Sequence, residues 1–199
     1  MSAPDPDADP PSVGAPMGAP RGSARGGAAP DLRRFIRDVP DFPEKGILFK
    51  DITPLLLDPR ALEAAIAALA QRAARPEAVV AIESRGFVFG APLALHWRVP
   101  FVPARKFGKL PGKTVREVYS LEYGEDSLEI HADALAPGDD VVIVDDLLAT
   151  GGTARATARL VERLGARVAS LLFVIELTGL GGRERLAGRE VHALMELPA

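Results

Sequence analysis

The chain has 199 residues, 47% of them hydrophobic, enough for one domain with a real core, and its formal net charge of −3 argues against general affinity for nucleic acid. It has no cysteine, which excludes disulfides and thiolate metal sites. No apolar run approaches the ~18 residues that cross a bilayer, and Asp5, Asp7 and Asp9 stand where a secretory signal would be apolar, so no membrane association is expected and a cytoplasmic protein is the default.

Residues 1–30 differ from all that follows. Alanine, glycine and proline fill 19 of those 30 positions, and after Met1 the only larger apolar side chains are Val13 and Met17. Such a segment cannot bury enough surface to offset its ordering entropy, so a disordered tail is expected, followed by one domain over 31–199. There "DLRRFIRDVPDFP" reads as a short helix ended by prolines. "LDPRALEAAIAALAQRAARP" reads as a helix with Asp58 as N-cap, Pro59 at its first position and Leu62, Ile66 and Leu69 on one face. "AVVAIES" (78–84) is a short apolar strand, and "RGFVFGAPLALHW" a turn and helix. "VPFVPARK" (99–106) is a strand that Pro103 assigns to an edge or an end. "FGKLPGKTVREVYSLEYGED" shows no sustained period and reads as a long loop, with "SLEIH" a strand after it. "DVVIVDD" is a buried strand, "TARATARLVERLG" a helix with Leu160, Val161 and Leu164 inward and Gly165 as its stop, and "RVASLLFVIEL" another buried strand. Strands apolar on both faces, alternating with helices, imply an α/β domain whose parallel sheet is covered on both sides.

"VVIVDDLLATGGT" (141–153) carries the chemistry. Adjacent carboxylates repel, so Asp145 and Asp146 need a reason to sit together, and the glycines after them give up backbone entropy. In a parallel sheet ligands gather at the carboxyl ends of the strands. Backbone N–H groups of Ala149, Thr150, Gly151, Gly152 and Thr153 at a helix start suit a phosphate, and the hydroxyls of Thr150 and Thr153 add donors. The carboxylates upstream suit sugar hydroxyls or a hydrated metal ion. There is no lysine where a P-loop needs one, and no G-x-G-x-x-G follows a strand. A plain alternative is a solvated acidic turn before a helix. A second feature is a basic run: Arg105, Lys106, Lys109, Lys113 and Arg116 are five cations in twelve residues with no acid among them, either a solvated loop or a lid over an anion.

The 141–153 string resembles the phosphoribosyl-diphosphate motif of the type I phosphoribosyltransferases. "FPEKGILFKDITPLL" (42–56), "IESRGFVFGAPLA" (82–94) and "RKFGKLPGKTVREVYSLEYG" (105–124) resemble the adenine phosphoribosyltransferase family within it, and the likeness continues into "ELTGLGGRERL". The resemblance implies a central, mostly parallel sheet flanked by helices, with a small N-terminal hood and a long flexible catalytic loop. It implies transfer of phosphoribose to adenine, giving AMP and pyrophosphate in purine salvage, by a homodimer, with Mg²⁺ carried by the substrate and no dedicated metal site. It puts the 5′-phosphate on 149–153 and the ribose hydroxyls on Asp145 and Asp146. It puts pyrophosphate on Arg85, Lys106 and Lys109, with Arg105 reaching across from a second subunit. It makes the "ESRG" turn, with Ser84, a strained peptide whose N–H groups face pyrophosphate, where a helix cap by Ser84 is the local alternative. It marks Glu122 as the acid/base at the purine, beside Tyr123, and assigns the base to Phe49, for stacking, and the backbone near Leu48. Phe107 departs from the proline or basic residue of the family, and Lys50 stands where arginine also occurs. An oxopurine transferase and a regulator that binds phosphoribosyl diphosphate as a signal are the rival readings. "SLEYG" and "GILFKDIT" disfavour the first. The absence of a helix-turn-helix pattern in residues 1–30 disfavours the second.

Overall fold

A computed structural model describes residues 30–121 and 124–199. A 3₁₀ turn, Leu32–Phe35, leads into an antiparallel pair, β1 (Arg37–Pro40) and β2 (Leu48–Asp51). Lys50 is buried on this hairpin, with its ammonium 3.0 Å from Asp38, the residue opposite it in the register. Two helices follow, α1 (Thr53–Leu57) and α2 (Pro59–Ala70). As the sequence predicts, Pro59 opens α2 and the Asp58 carboxylate accepts from the N–H groups of Arg60 and Ala61 at 2.9 and 3.0 Å. The buried stripe of α2 is Ala61, Ala65 and Leu69, and Leu62 and Ile66 pack half-buried beside it.

The main sheet has seven strands in the order β5-β6-β4-β3-β7-β8-β9. Its members are β3 (Ala78–Ile82), β4 (Phe101–Lys106), β5 (Thr114–Leu121), β6 (Gly124–His131), β7 (Asp140–Leu148), β8 (Arg167–Thr178) and β9 (Val191–Pro198). From β4 to β9 the neighbours are parallel, and β6 and β5 extend the sheet antiparallel. Helix α3 (Gly86–Trp97) crosses from β3 to β4, and α4 (Gly152–Arg163) from β7 to β8. A short helix, α5 (Gly182–Arg185), precedes β9.

Successive residues of β7 feed opposite faces. Val141 and Ile143 pack with Leu160 and Val161 of α4, and Val142 and Val144 pack with Leu69 of α2 and Phe89 of α3. This two-sided burial is what the unbroken apolar runs require. Pro103 lies inside the sheet. The even-numbered residues of β4 bond to β3, as in Glu83 N–H to Ala104 O at 2.9 Å, and β6 pairs only from Arg105 onward. The amide that proline lacks therefore faces a gap.

The expected long loop over 107–126 is largely a hairpin: β5 and β6 pair in continuous register from Thr114↔His131 to Leu121↔Gly124, and among the described residues of this span only 107–113 are irregular. The period-2 pattern is disguised by an acid on the inward side. Val115, Glu117 and Tyr119 turn toward the protein, and Glu117 is met by Arg159 at 3.0 Å and Arg163 at 3.2 Å from α4. A carboxylate held by two guanidiniums behaves as part of a packed face, and hydropathy alone does not show it.

Candidate active site

Strands β3 and β7 are neighbours, yet the chain leaves β3 toward β4 and β7 toward β8. Their carboxyl ends therefore open a crevice at the point where the strand order reverses, the place such sheets bind ligands. A cavity of about 470 Å³ lies there. Its lining includes Ser84 and Arg85 after β3, Asp145 and Asp146 at the end of β7, and the whole loop Ala149–Thr153, and it is closed by Lys106, Tyr119 and Asp126 from the β4–β5–β6 side.

Helix α4 begins at Gly152, with Gly151 before it at φ 77°, so the free N–H groups of its first turn are available to an anion. The loop is packed from behind by the segment after β8. A Cβ on Gly182 would sit 2.2 Å from Ala149 O, and one on Gly151 would sit 2.7 Å from Gly182 O. Two backbones in contact here explain Gly182 of "GLGGRERL", while Gly179 and Gly181 take φ of 89° and 70°.

Asp146 is buried, with Arg85 Nε at 2.8 Å from Oδ2, an ion pair whose N–H is not aligned for a hydrogen bond, so that oxygen keeps an unsatisfied lone pair. Asp145 keeps some open surface but is crowded by α3, since a Cβ on Gly86 would lie 2.9 Å from its Oδ1. Burial and then the neighbouring Asp146 charge push the Asp145 carboxyl well above the usual carboxylate range. Burial raises Asp146 too, against the pull of Arg85. Donors that satisfy both carboxylates would relieve this cost, and vicinal hydroxyls are such donors.

The turn after β3 carries a cis peptide between Glu83 and Ser84. Arg85 occupies the N-cap position of α3, with no side-chain cap bond, so Ser84 does not cap the helix. Arg85 also lies 5.2 Å from the ring centroid of Phe49, which meets Phe42 edge to face. The hairpin holding Leu48 and Phe49 thus stands beside the cavity without lining it. Arg105 and Lys109 are outside the lining as well. The guanidinium of Arg105 donates to both oxygens of Glu83, at 3.0 and 3.2 Å, and to Lys109 O at 3.0 Å. Glu122 and Tyr123 fall outside the described residues.

Four acids went unnoticed in the sequence: Glu83, Glu117, Asp126 and Glu129. Glu129 is buried and accepts from the N–H groups of Lys109 and Leu110, both at 3.1 Å, and from the Thr114 hydroxyl at 3.0 Å, which ties down the basic segment 107–113. Burial alone would raise its carboxyl, and these donors hold it below the ordinary value. On Glu83 the Arg105 hydrogen bond is the largest influence, burial opposes it, the Lys106 N–H supports it, and the net shift is downward. For Glu129 the sequence signal is an acid at a strand position flanked by Leu128 and Ile130.

A parallel sheet with an acidic pair and an anion loop at its switch point is the architecture of the type I phosphoribosyltransferases. Residues 55–189 match the phosphoribosyl transferase domain family. The adenine phosphoribosyltransferase of Carboxydothermus hydrogenoformans is 57% identical over 168 residues, covering 83% of this chain and 99% of that one. The crystal structure of the adenine phosphoribosyltransferase from Thermoanaerobacter pseudethanolicus superposes with a TM-score of 0.81 at 53% identity, over 83% of this chain and 98% of that one. The Saccharomyces cerevisiae enzyme, solved with adenine and an imino-altritol bisphosphate, gives a TM-score of 0.78 at 41% identity, over 82% of this chain and 96% of that one. The chain belongs to the adenine phosphoribosyltransferase family.

Proposed function

We propose that the chain transfers the phosphoribosyl group of 5-phosphoribosyl 1-diphosphate to adenine, giving AMP and pyrophosphate, a purine-salvage step. The observation that carries this reading is the convergence of Asp145, Asp146, the start of α4 and Arg85 on one cavity, in a chain 57% identical to an adenine phosphoribosyltransferase. The 5′-phosphate takes the N–H groups of Ala149–Thr153, where the helix start favours negative charge. The ribose hydroxyls donate to Asp145 and Asp146. Arg85, Lys106 and Lys109 neutralise pyrophosphate as it departs, and the positive charge left on the sugar is stabilised by the two aspartates. Arg85 is the link between this end and the base, because Phe49 lies against it and offers a ring for stacking, with the Leu48 backbone next to it. Glu122 serves as acid/base at the purine, with Tyr123 beside it.

Mg²⁺ arrives with the diphosphate as part of the substrate. Asp145 and Asp146 offer two carboxylates, the number this ion commonly takes from a protein when phosphate oxygens supply the rest. The functional unit in this reading is a cytoplasmic homodimer whose partner brings Arg105 toward the pyrophosphate. Val88 and Leu95 of α3 and Phe101 of β4 are exposed and suit an apolar interface. Among the described residues no helix is long and apolar enough to cross a membrane. The tail 1–30 is dispensable, and a chain starting at Asp31 retains activity.

The experiment is pyrophosphate release from phosphoribosyl diphosphate with Mg²⁺ across a panel of bases. Adenine supports the reading. Release with hypoxanthine, guanine or xanthine but not adenine refutes it.

A further inference from the structure

Around the pyrophosphate end of the cavity, three cations already hold a carboxylate: Arg85 with Asp146 at 2.8 Å, Arg105 with Glu83 at 3.0 Å and Lys106 with Asp126 at 3.3 Å. The three acids are not equivalent. Glu83 is fastened by the Arg105 guanidinium and by the Lys106 N–H, and Asp146 is buried on β7. Asp126 sits on the hairpin, lines the cavity and keeps 25% of its side chain open. Burial would raise its carboxyl, but the Ser127 N–H at 2.7 Å and Lys106 outweigh that and hold it below the ordinary value, so it is charged at neutral pH. A fixed negative charge beside the lysine of an anion site opposes the anion, and tight substrate binding does not account for it.

We infer that Asp126 competes with pyrophosphate for Lys106 and so sets how readily the product leaves. The inference rests on the reading of this cavity as the phosphoribosyl-diphosphate site. One oxygen, Oδ2, takes both the ammonium of Lys106 and, at 3.3 Å, the hydroxyl of Tyr119. When the ammonium swings to pyrophosphate, Tyr119 still donates to that oxygen and the carboxylate is not stranded, so the exchange is cheap in both directions. When pyrophosphate departs, Asp126 recaptures the ammonium and offsets part of the cost of baring it. Asp126 acts through Lys106 and is a positioning residue.

The test is calorimetric titration of the full-length enzyme with magnesium pyrophosphate, joined to steady-state kinetics. Asp126→Asn keeps a hydrogen-bonding side chain and removes the charge. It should bind pyrophosphate about tenfold more tightly, the effect of one unscreened charge a few ångströms away. The KM for phosphoribosyl diphosphate should fall with it and kcat should fall too, the split expected of a stronger ground-state hold. Asp126→Glu should restore wild-type affinity, and Asp126→Ser repeats the test should the Asn variant fold poorly. On a Lys106→Met background the gain from Asp126→Asn should shrink below about threefold. Unchanged or weaker pyrophosphate binding in Asp126→Asn and Asp126→Ser overturns the inference and leaves the acid as a pin for the hairpin. Unchanged binding in Lys106→Met alone places the failure in the reading of the cavity, and the inference falls with it.

Discussion

Gly182→Ala tests how far the phosphate loop depends on its backing. The added Cβ would stand 2.2 Å from Ala149 O and 3.0 Å from Leu148 Cγ, where contacts under 3.0 Å essentially never occur. One of the two backbones must retreat by close to 1 Å. Both choices are costly, since Ala149 is fixed by β7 and Gly182 by α5 behind it. Overpacking of this kind costs about 1–3 kcal/mol of stability. A displacement of that size at the groups holding a substrate costs about 10²-fold in kcat/KM. The assay is thermal unfolding together with the affinity of AMP and phosphoribosyl diphosphate, both of which carry the 5′-phosphate, and of adenine, which does not. The expected result is a folded enzyme with a lowered melting temperature, phosphorylated ligands weakened and adenine little changed. A variant that is destabilised yet binds both phosphorylated ligands as well as the wild type would refute the placement of the phosphate on 149–153.

Asp145→Asn should raise the melting temperature while weakening phosphoribosyl diphosphate, because a carboxyl pushed upward by burial and by Asp146 opposes folding when ionised; scanning calorimetry that shows destabilisation contradicts this. The sign at Asp145 also means that its contribution to stability improves as pH falls below its folded value. The opposite holds for Glu83 and Glu129, whose carboxyls are depressed: their stabilisation is complete above the ordinary glutamate value and is lost as pH drops through their lower folded values. Melting curves from pH 7 downward should therefore show a steep loss below about pH 4, reduced in Glu129→Gln. Glu117→Gln should loosen the hairpin from α4 by about 1 kcal/mol, since the partly exposed arginines that hold it are screened by solvent; faster amide exchange in β5 with β7 unchanged would show it.

The sequence disclosed the parts of the fold whose burial is two-sided. Val141–Val144 and Ala78–Ile82 are apolar without alternation because helices cover both faces, and that pattern, with Asp145–Asp146 and the glycines after them, located the site. The hairpin was hidden because Glu117 sits on the inward face and Glu129, on the opposite face, is covered by residues 107–113, each satisfied by partners away from its own strand, α4 for one and the 107–113 backbone for the other. The pair β1–β2 was missed for a related reason, since Lys50 is buried only by virtue of Asp38 across the strand. Strand β9 lies at the sheet edge, where His192 and Glu196 break the apolar run. Glu83 and Asp126 gain meaning only once β3, β4 and the hairpin meet around Arg105 and Lys106.

In the proposed reaction the cavity between β3 and β7 holds phosphoribosyl diphosphate through its paired aspartates. Calorimetric titration of magnesium phosphoribosyl diphosphate into Asp145→Asn/Asp146→Asn, beside the wild type, tests it most directly. The variant is expected to fold, with a melting temperature at or above that of the wild type, and to bind at least a hundredfold more weakly, about 3 kcal/mol for two charge-assisted hydrogen-bonding sites. A folded variant that binds the substrate with wild-type affinity would contradict it.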